Sequence, residues 1–355
     1  MPSITLASDL RIGSLDDRDY ALTWVGDLEV SSTGTIYVNQ LMQQLIRVFS
    51  STGRSLRRIG RMGGGPGEFQ APLWMGWKRD SLWVYDGLAG RFSIFDAGGG
   101  FVRAERLSIR GRAMLLVDGS IAVTPSPPRA GAASQPLLRF RQSSETPDTL
   151  LQLSGTPPHW VIERAGIGVL STQSLQPFAD DPLWTVAPGG NSLIVVDRTA
   201  GPVASNAQYI VTALRVNGDT IWTAEFTYRP RPLTDEIVTA IVRKDIQIRD
   251  SRRGSSGYHI TEPEARKGLY RPKTLAPVTS LVVGYDETIW LRREESPLDT
   301  VVLWDVIGPD GARMGRLETP TALRILRAGR GFVWAVELDD LDVPYVVRYQ
   351  VKWQQ

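Results

Sequence analysis

The chain has 355 residues but no cysteine, and it has only two histidines, His159 and His259. The absence of cysteine excludes disulfides, thiolate nucleophiles and metal sites built on thiolates. A zinc site with histidine ligands or a Ser-His-Asp triad would need one of these two histidines, and neither is surrounded by metal-ligand spacing. The sequence therefore disfavours thiol enzymes and zinc enzymes.

Long apolar segments are also missing. No run of about 18 apolar residues is present to form a transmembrane helix. The first residues, Met1-Pro2-Ser3, show neither the basic nor the apolar part of a secretory leader. We therefore expect no membrane span. The expected location is periplasmic or otherwise extracytoplasmic, with the leader absent from this chain, and the alternative is cytoplasmic.

The net charge is small, at +2 from 40 basic and 38 acidic residues. Nucleic-acid binding usually requires a strongly basic protein or a strongly basic face. Nucleic acid is therefore not an expected partner. Only five of the 40 basic residues are lysines, a bias that genomic base composition explains better than guanidinium chemistry does.

The chain does contain a repeated phrase, in which a tight turn ending in a small or polar residue precedes a β-rich, often aromatic strand. Such repetition is typical of solenoids and propellers, because one small sheet cannot bury its own faces without neighbours. The phrase begins at Gly34, Asp80, Gly119, Asn191, Glu287 and Gly331. Six copies predict an all-β fold, a six-bladed β-propeller of four-stranded antiparallel blades with one helical insertion.

The two ends of the chain are predicted to close this ring. Hairpin turns precede the last strand of five blades, but residues 345–351 run almost to the C-terminus without one. The strand-like segment 3–12 can supply the missing outer strand of blade six and remove an exposed sheet edge. The predicted single domain, 1–355, has blades at approximately 26–60, 65–107, 110–155, 182–228, 279–320 and 321–353 plus 3–12, and an insertion at 229–277.

Residues 60–96 resemble one NHL-type propeller repeat. The similar positions are Gly63-Gly64-Gly65-Pro66-Gly67-Glu68-Phe69, Pro72, Leu82-Trp83-Val84-Tyr85-Asp86, Arg91 and Ile94-Phe95-Asp96. More broadly, the chain is similar to bacterial six-bladed propellers of the NHL-like class, many of which are exported. The resemblance implies no single activity, because such propellers include binding domains, metal-dependent lyases and hydrolases, and scaffolds. We interpret the glycines and Asp86 as residues that shape the backbone.

Loop length predicts which face of the ring carries function. Short turns join first to second and third to fourth strands, so the long connections fall on the opposite face, where binding sites usually lie. The insertion 229–277 is predicted to contain an amphipathic helix from Thr234 through Asp250. It has eleven basic and six acidic residues, a formal charge of +5. Either it attracts an anionic ligand or partner, or its charges pair with acidic loops such as 337–342.

A metal ion in the central channel would need carboxylates or amides that converge from several inner strands. Glu29 is the one acidic residue on the predicted inner strands, which are 28–30, 73–76, 114–117, 184–187, 280–283 and 324–326. We therefore expect no cofactor. The alternative is a divalent cation such as calcium in the central channel.

These observations favour a non-catalytic propeller that binds an unknown small ligand or protein, of anionic character, through its long-loop face and basic insertion. The alternative is a metal-assisted hydrolase or lyase acting at the mouth of the channel. No catalytic residue is predicted. The predicted ligand- or partner-binding residues are Arg243, Lys244, Arg252, Arg253, Arg271, Asp86, Arg91 and Asp197.

Overall fold

The structure is a computed structural model that describes residues 2–125, 134–141, 144, 146–155, 159–164, 166–173, 176–203, 205–252, 259–294 and 296–354. Within these residues the chain forms 26 strands and two α-helices. The first strand, β1 (Ser3–Ile12), is separated in sequence from the sheet that it joins.

Blades one to four are four-stranded antiparallel sheets, and the strands of each lie in chain order. Blade one comprises β2 (Val25–Val30), β3 (Ile36–Gln40), β4 (Leu45–Phe49) and β5 (Ser55–Ile59). Blade two comprises β6 (Pro72–Lys78), β7 (Ser81–Asp86), β8 (Arg91–Phe95) and β9 (Phe101–Arg106). Blade three comprises β10 (Gly111–Leu115), β11 (Ile121–Pro125), β12 (Ser134–Phe140) and β13 (Asp148–Ser154).

A separate hairpin, β14 (Trp160–Arg164) and β15 (Gly168–Gln173), lies in the chain between blades three and four. Blade four comprises β16 (Leu183–Val186), β17 (Ser192–Asp197), β18 (Ala207–Arg215) and β19 (Thr220–Tyr228). The helices α1 (Asp235–Arg252) and α2 (Glu262–Lys267) follow. They lie within the predicted insertion, although one helix was expected there.

Blade five comprises β20 (Val278–Val283), β21 (Ile289–Arg293), β22 (Val301–Ile307) and β23 (Arg313–Pro320). Blade six comprises β24 (Arg324–Arg327), β25 (Phe332–Leu338) and β26 (Pro344–Gln354), and β1 is its outer strand. β1 pairs antiparallel with β26 from Ser3–Gln354 to Ile12–Val346. The predicted closure by the N-terminal strand is therefore confirmed. A short parallel pairing of Ser3 and Ile4 with β23 also joins blades five and six into one eight-stranded sheet.

The repeated phrase forms the turn from first to second strand and then the second strand. In blade three, Gly119 closes this turn with φ of 88°, a conformation that favours glycine. The N–H of Leu116 donates to the carbonyl of Ser120 at 2.8 Å, and this hydrogen bond closes the turn before the second strand. Second strands such as β7 are buried on both faces, which explains their nearly continuous apolar sequences, whereas the outer strand β9 is mostly exposed.

The described buried residues form a hydrophobic core between each pair of neighbouring blades. Ile36 and Val38 of blade one pack with Trp334 and Val336 of blade six, which closes the ring. Corresponding clusters join blades one and two, two and three, three and four, four and five, and five and six. Each blade is therefore stabilised by apolar burial against both neighbours.

A further apolar cluster lies outside the ring. It packs the β14–β15 hairpin against α1 and α2, with Trp160 and Ile162 from the hairpin and Val238 and Val242 from α1 all buried. The indole N–H of Trp160 donates to the carbonyl of Ala265 at 2.8 Å. We call this unit, residues 160–173 together with 235–267, the cap.

Candidate functional site

The central channel opens into a cavity at each end. The long-loop cavity, of about 1430 Å³, lies at the end where the long connections meet, and α1 lines it through Ile241 and Lys244. The short-turn cavity, of about 870 Å³, lies at the other end among turns such as 31–35 and 187–190. Trp74 and Arg112 line both cavities, so they lie where the two meet.

A network of charged side chains crosses the channel on the side of the short-turn cavity. Arg327 of β24 contacts Asp27 at 2.9 Å and Glu29 at 2.7 Å, both on β2. Tyr285, from the turn between β20 and β21, donates its hydroxyl to Glu29 at 2.7 Å. Burial raises the pKa of Glu29, and the nearby charge of Arg327 opposes that rise. The two channel carboxylates are thus already bound to protein groups.

The carboxylates that line the long-loop cavity are also paired. Asp181 contacts Arg198 at 3.5 Å, and Arg198 also donates to the Asp181 carbonyl at 2.6 Å. Asp299 accepts two hydrogen bonds from Arg231, at 2.6 and 2.9 Å. These pairs leave little negative charge free to neutralise a cation in this cavity.

Three cationic side chains of the long-loop cavity lack such counter-charges among the described residues. Arg110, Arg112 and Lys244 line the cavity, and none has a hydrogen bond or ion pair to another described residue. Arg110 and Lys244 are exposed, whereas Arg112 is partly buried. Burial lowers the pKa of the Arg112 guanidinium to about 10, against the opposing effect of Asp27. Among the described residues that line this cavity, the unpaired charge is therefore positive.

The predicted site residues of the insertion fall into three groups. Lys244 faces the long-loop cavity, as described above. Arg243 contacts Glu262 at 3.2 Å, and Arg271 contacts Asp235 at 3.1 Å, so both are paired within the insertion. The side chain of Arg252 and the whole of Arg253 lie outside the described residues. Their role in binding stays a prediction.

The acidic loop was one predicted partner for the basic insertion, and the described contacts do not join them. Glu337 contacts Arg11 of β1 at 2.9 Å instead. The carboxylate of Asp339 accepts the backbone N–H groups of Leu341 and Val343, each at 2.9 Å. Arg243, Arg266 and Arg271 pair instead within the insertion, with acids of the N-terminal turn of α1 and of α2.

Asp86 and Arg91 hold the glycine-rich loop of blade two. Asp86 is fully buried and accepts backbone N–H groups at 2.7 to 3.0 Å from Gln70, Ala71 and Ala89. This confirms the interpretation that Asp86 bonds loop amides. Arg91 donates to three loop carbonyls, those of Gly64, Gly65 and Glu68, at 2.8 to 3.0 Å.

The remaining predicted residue, Asp197, accepts the N–H and hydroxyl of Thr199 at 3.2 and 2.9 Å. It thus stabilises its own turn. Two glycines of the blade-two loop, Gly63 and Gly67, have positive φ, whereas Gly64 and Gly65 do not. The interpretation that these glycines shape the backbone is therefore supported by positive φ at Gly63 and Gly67 only. Ligand contacts by any of these residues remain a prediction.

Sequence reasoning placed Glu29 on an inner strand but missed the channel arginines, Arg112 and Arg327. The predicted inner strand at 114–117 is observed at Gly111–Leu115, which brings Arg112 onto the channel wall. Asp27 and Arg327 likewise lie one residue beyond the predicted strands 28–30 and 324–326. The signal that could have found them is an arginine flanked by apolar residues near an inner strand. The acidic partners of Arg327 lie on another blade, so the sequence does not show that pairing.

Two further findings concern metals and membranes. Among the described residues, no group of three or more His, Cys, Asp or Glu side chains is arranged to hold a metal ion. The alternative of a metal-assisted hydrolase or lyase at the channel mouth stays a prediction. Within the described parts of the chain, no helix has the length and apolar character needed to cross a membrane.

Comparison with known proteins supports the propeller fold. A family model, DUF5128, described as a 6-bladed beta-propeller, matches residues 15–119, which is less than half of the chain. Comparison with curated proteins found no match. Among solved structures, the chain is similar to a member of the DUF4221 family from Bacteroides vulgatus, with 10% identity, coverage of 99% of both chains and a TM-score of 0.55.

Two enzymes are also similar in overall course. The selenomethionine-substituted virginiamycin B lyase from Staphylococcus aureus shows 10% identity and a TM-score of 0.45, with 98% of this chain and 99% of the lyase covered. A gluconolactonase from Xanthomonas campestris shows 10% identity and a TM-score of 0.45, with 92% and 86% covered. Similarities this weak carry no inference about activity. The comparisons and the strand topology together show that the chain is a six-bladed β-propeller.

Proposed function

We propose that this chain is a non-catalytic binding propeller whose long-loop cavity takes an anionic ligand. One observation carries the proposal: the carboxylates Asp181 and Asp299 are already paired, whereas Arg110, Arg112 and Lys244 have no protein counter-charge among the described residues. A concave site with unmatched positive charge attracts anions and concentrates them near its mouth.

The cap gives this cavity one of its walls. Ile241 and Lys244 are neighbours on the α1 surface at i and i+3 spacing, so one helix face supplies both an apolar and a cationic contact. The opposite wall comes from the ring, including Leu73, Trp74 and Trp184. The mixed lining fits a ligand that has an apolar body and a negative charge.

The proposal can be tested with 8-anilinonaphthalene-1-sulfonate, an apolar anionic probe whose fluorescence rises on binding. We expect saturable binding by the intact protein that weakens as salt is added, because exposed charges are screened beyond about 8 Å at physiological ionic strength. Lys244→Gln should weaken binding several-fold. Arg243→Gln is the matched control, since the adjacent Arg243 is exposed, pairs with Glu262 and does not line the cavity.

Two results would contradict the proposal. One is the absence of saturable probe binding by the intact protein. The other is equal binding by the Lys244→Gln variant, the Arg243→Gln variant and the unaltered chain at low salt. Native mass spectrometry of the purified protein would show in addition whether a ligand is retained.

We also propose that blade two is an NHL-like repeat. The residues that carry the resemblance act together, since Asp86 and Arg91 both bind the backbone of the glycine-rich loop. A location outside the cytoplasm is proposed from that resemblance alone, and fractionation of cells producing the native protein would test it.

A further inference from the structure

Arg112 lies at the floor of the long-loop cavity without a hydrogen-bonding or ion-pair partner in the described part of the chain. It is on β10, it lines both channel cavities, and its Nε is buried with no hydrogen-bond acceptor. No described residue accepts a hydrogen bond from its guanidinium or forms an ion pair with it. The two Nη groups of Arg112 are not among the fully buried unpartnered atoms, so an anion in the cavity can reach them.

Other buried arginines of this protein have partners. Arg139 pairs with Asp118, Arg198 pairs with Asp181, and Arg91 donates to three backbone carbonyls. Arg327, which is partly buried like Arg112, is held by Asp27 and Glu29. The isolation of Arg112 is thus not the general condition of arginines in this ring, and a ligand would supply what the protein does not.

The surroundings of Arg112 are aromatic and fixed. Its guanidinium carbon lies 5.8 Å from the ring centroid of Trp74 and 5.3 Å from that of Trp184. Trp74 stacks on Tyr85 at 5.7 Å with 10° between the rings, and the indole N–H of Trp184 donates to Thr124 at 3.3 Å. Both indoles are therefore held in place beside the cation.

The charges near Arg112 indicate how much negative charge the ligand carries. Asp27 acts on Arg112 through space, but its carboxylate is already bound to Arg327. Arg110 and Lys244 are exposed, which leaves one cation at the aromatic floor. One guanidinium matches one carboxylate, since its planar donors form two parallel hydrogen bonds to the two oxygens.

We infer that the ligand of the long-loop cavity is a monoanionic carboxylate with a flat apolar body, bound with its carboxylate on Arg112 and its body beside Trp74 and Trp184. This inference rests on the proposed function. It goes further by naming the class of ligand, its anchoring residue and its orientation.

Isothermal titration calorimetry with two probes of the same shape tests it. These probes are 2-naphthoate, which carries the carboxylate, and 2-naphthamide, which is neutral. We expect the intact protein to bind 2-naphthoate about tenfold or more tightly than 2-naphthamide, which corresponds to about 1.4 kcal/mol or more. Arg112→Gln should remove that preference and leave 2-naphthamide binding unchanged. Arg112→Lys, which keeps the charge without the planar fork, should retain part of it.

Arg215→Gln is the matched control, because Arg215 is an exposed arginine on β18 with no described ion pair and it lines neither cavity. It should leave both affinities unchanged. Arg112→Gln should also leave the melting temperature equal or higher, since it removes an unpaired charge. A clear fall in melting temperature would show that Arg112 stabilises the ring through its indole contacts and would overturn the inference.

The remaining outcomes separate the inference from the proposed function. If 2-naphthoate binds and Lys244→Gln weakens it while Arg112→Gln does not, the anion site stands and the assignment of Arg112 is wrong. If inorganic phosphate displaces 2-naphthoate at similar concentration, the carboxylate class is wrong. If the intact protein binds neither 2-naphthoate nor 8-anilinonaphthalene-1-sulfonate, both the proposed function and the inference are overturned.

Discussion

Asp305 is a charged residue of this ring that is buried against charged partners from the neighbouring strands. Asp305 on β22 has no exposed side-chain surface and contacts Arg293 at 2.8 Å, Arg316 at 3.3 Å and Arg313 at 3.6 Å. Burial alone would raise the pKa of Asp305, but the charge of Arg293 and its neighbours outweighs burial and lowers it. One carboxylate therefore serves as a shared counter-charge for three guanidinium groups inside blade five.

Replacing this carboxylate tests that arrangement. Asp305→Asn should destabilise the protein by up to about 3 to 5 kcal/mol, because it breaks a buried ion pair and leaves Arg293 with Glu294 as its remaining described counter-charge. Denaturant unfolding measures the change. Asp148→Asn is the control, since Asp148 is a largely exposed partner of Arg141 and its loss should cost about 1 kcal/mol or less. Equal effects of the two substitutions would contradict the importance of burial.

The same residue predicts an acid dependence. Because the pKa of Asp305 in the folded protein is below its ordinary value of 3.8, its ionised form adds stability that is fully present above that pH. The contribution is lost as the pH falls below 3.8, through the folded pKa. Asp305→Asn should therefore flatten the fall in stability between about pH 4 and pH 2.

At the scale of elements, the cap is a unit with its own core and its own ion pairs. Glu264 of α2 accepts two hydrogen bonds from Arg164 of β14, at 2.5 and 2.9 Å. It also accepts the backbone N–H and the hydroxyl of Thr261, at 2.9 and 2.8 Å. These contacts, with that of Arg164 first, hold the pKa of Glu264 far below its ordinary range.

Glu264→Gln should therefore loosen the cap while leaving the ring intact. We expect faster amide hydrogen exchange in 160–164 and 262–267, with unchanged exchange in the second strands of the blades. Glu236→Gln serves as control, because Glu236 is exposed on α1 and has no described partner. The ionised Glu264 stabilises the cap above its ordinary pKa, so cap exchange in the unaltered protein, taken relative to the intrinsic amide rate at each pH, should rise as the pH falls below about 4.5. Identical exchange in all three proteins would contradict this account.

At the scale of the whole molecule, stability depends on closing the ring. β1 reaches two different inter-blade cores, with Ile4 between blades five and six and Ile12 between blades six and one. Both side chains are at most 4% exposed. An open ring would expose these cores and an unpaired edge of β26.

Deleting residues 1–13 should therefore unfold or aggregate the protein rather than trim a tail. Ile12→Ala provides a milder test, with an expected loss of about 2 to 5 kcal/mol. Leu15→Ala is the matched control, since Leu15 is 61% exposed and should tolerate the change. Thermal melting and size-exclusion chromatography report the outcome. An unchanged melting temperature after the deletion would show that closure does not need β1.

The fold was predictable because its determinants are local. Each blade repeats a turn such as 116–120 and an apolar strand, and the number of turns showed that blade six lacked a strand. The β14–β15 hairpin was missed, since its sequence carries no copy of the repeated phrase and its apolar residues are buried against α1. The hairpin packs against the insertion through side chains that are distant in sequence, so local patterns do not predict that contact.

The sequence by itself determined the repeated strands, the blade count, the closing strand and the face that carries the long loops. Only the tertiary structure decided which charges are neutralised. Glu29 meets Arg327, which is 298 positions away, and Lys244 has no ion pair with a described residue while the adjacent Arg243 is paired. Strand and turn preferences act between near neighbours in the chain, whereas the pairing of a charge depends on which blade packs beside it. The isolation of Arg112 between two indoles could therefore not be read from the chain alone.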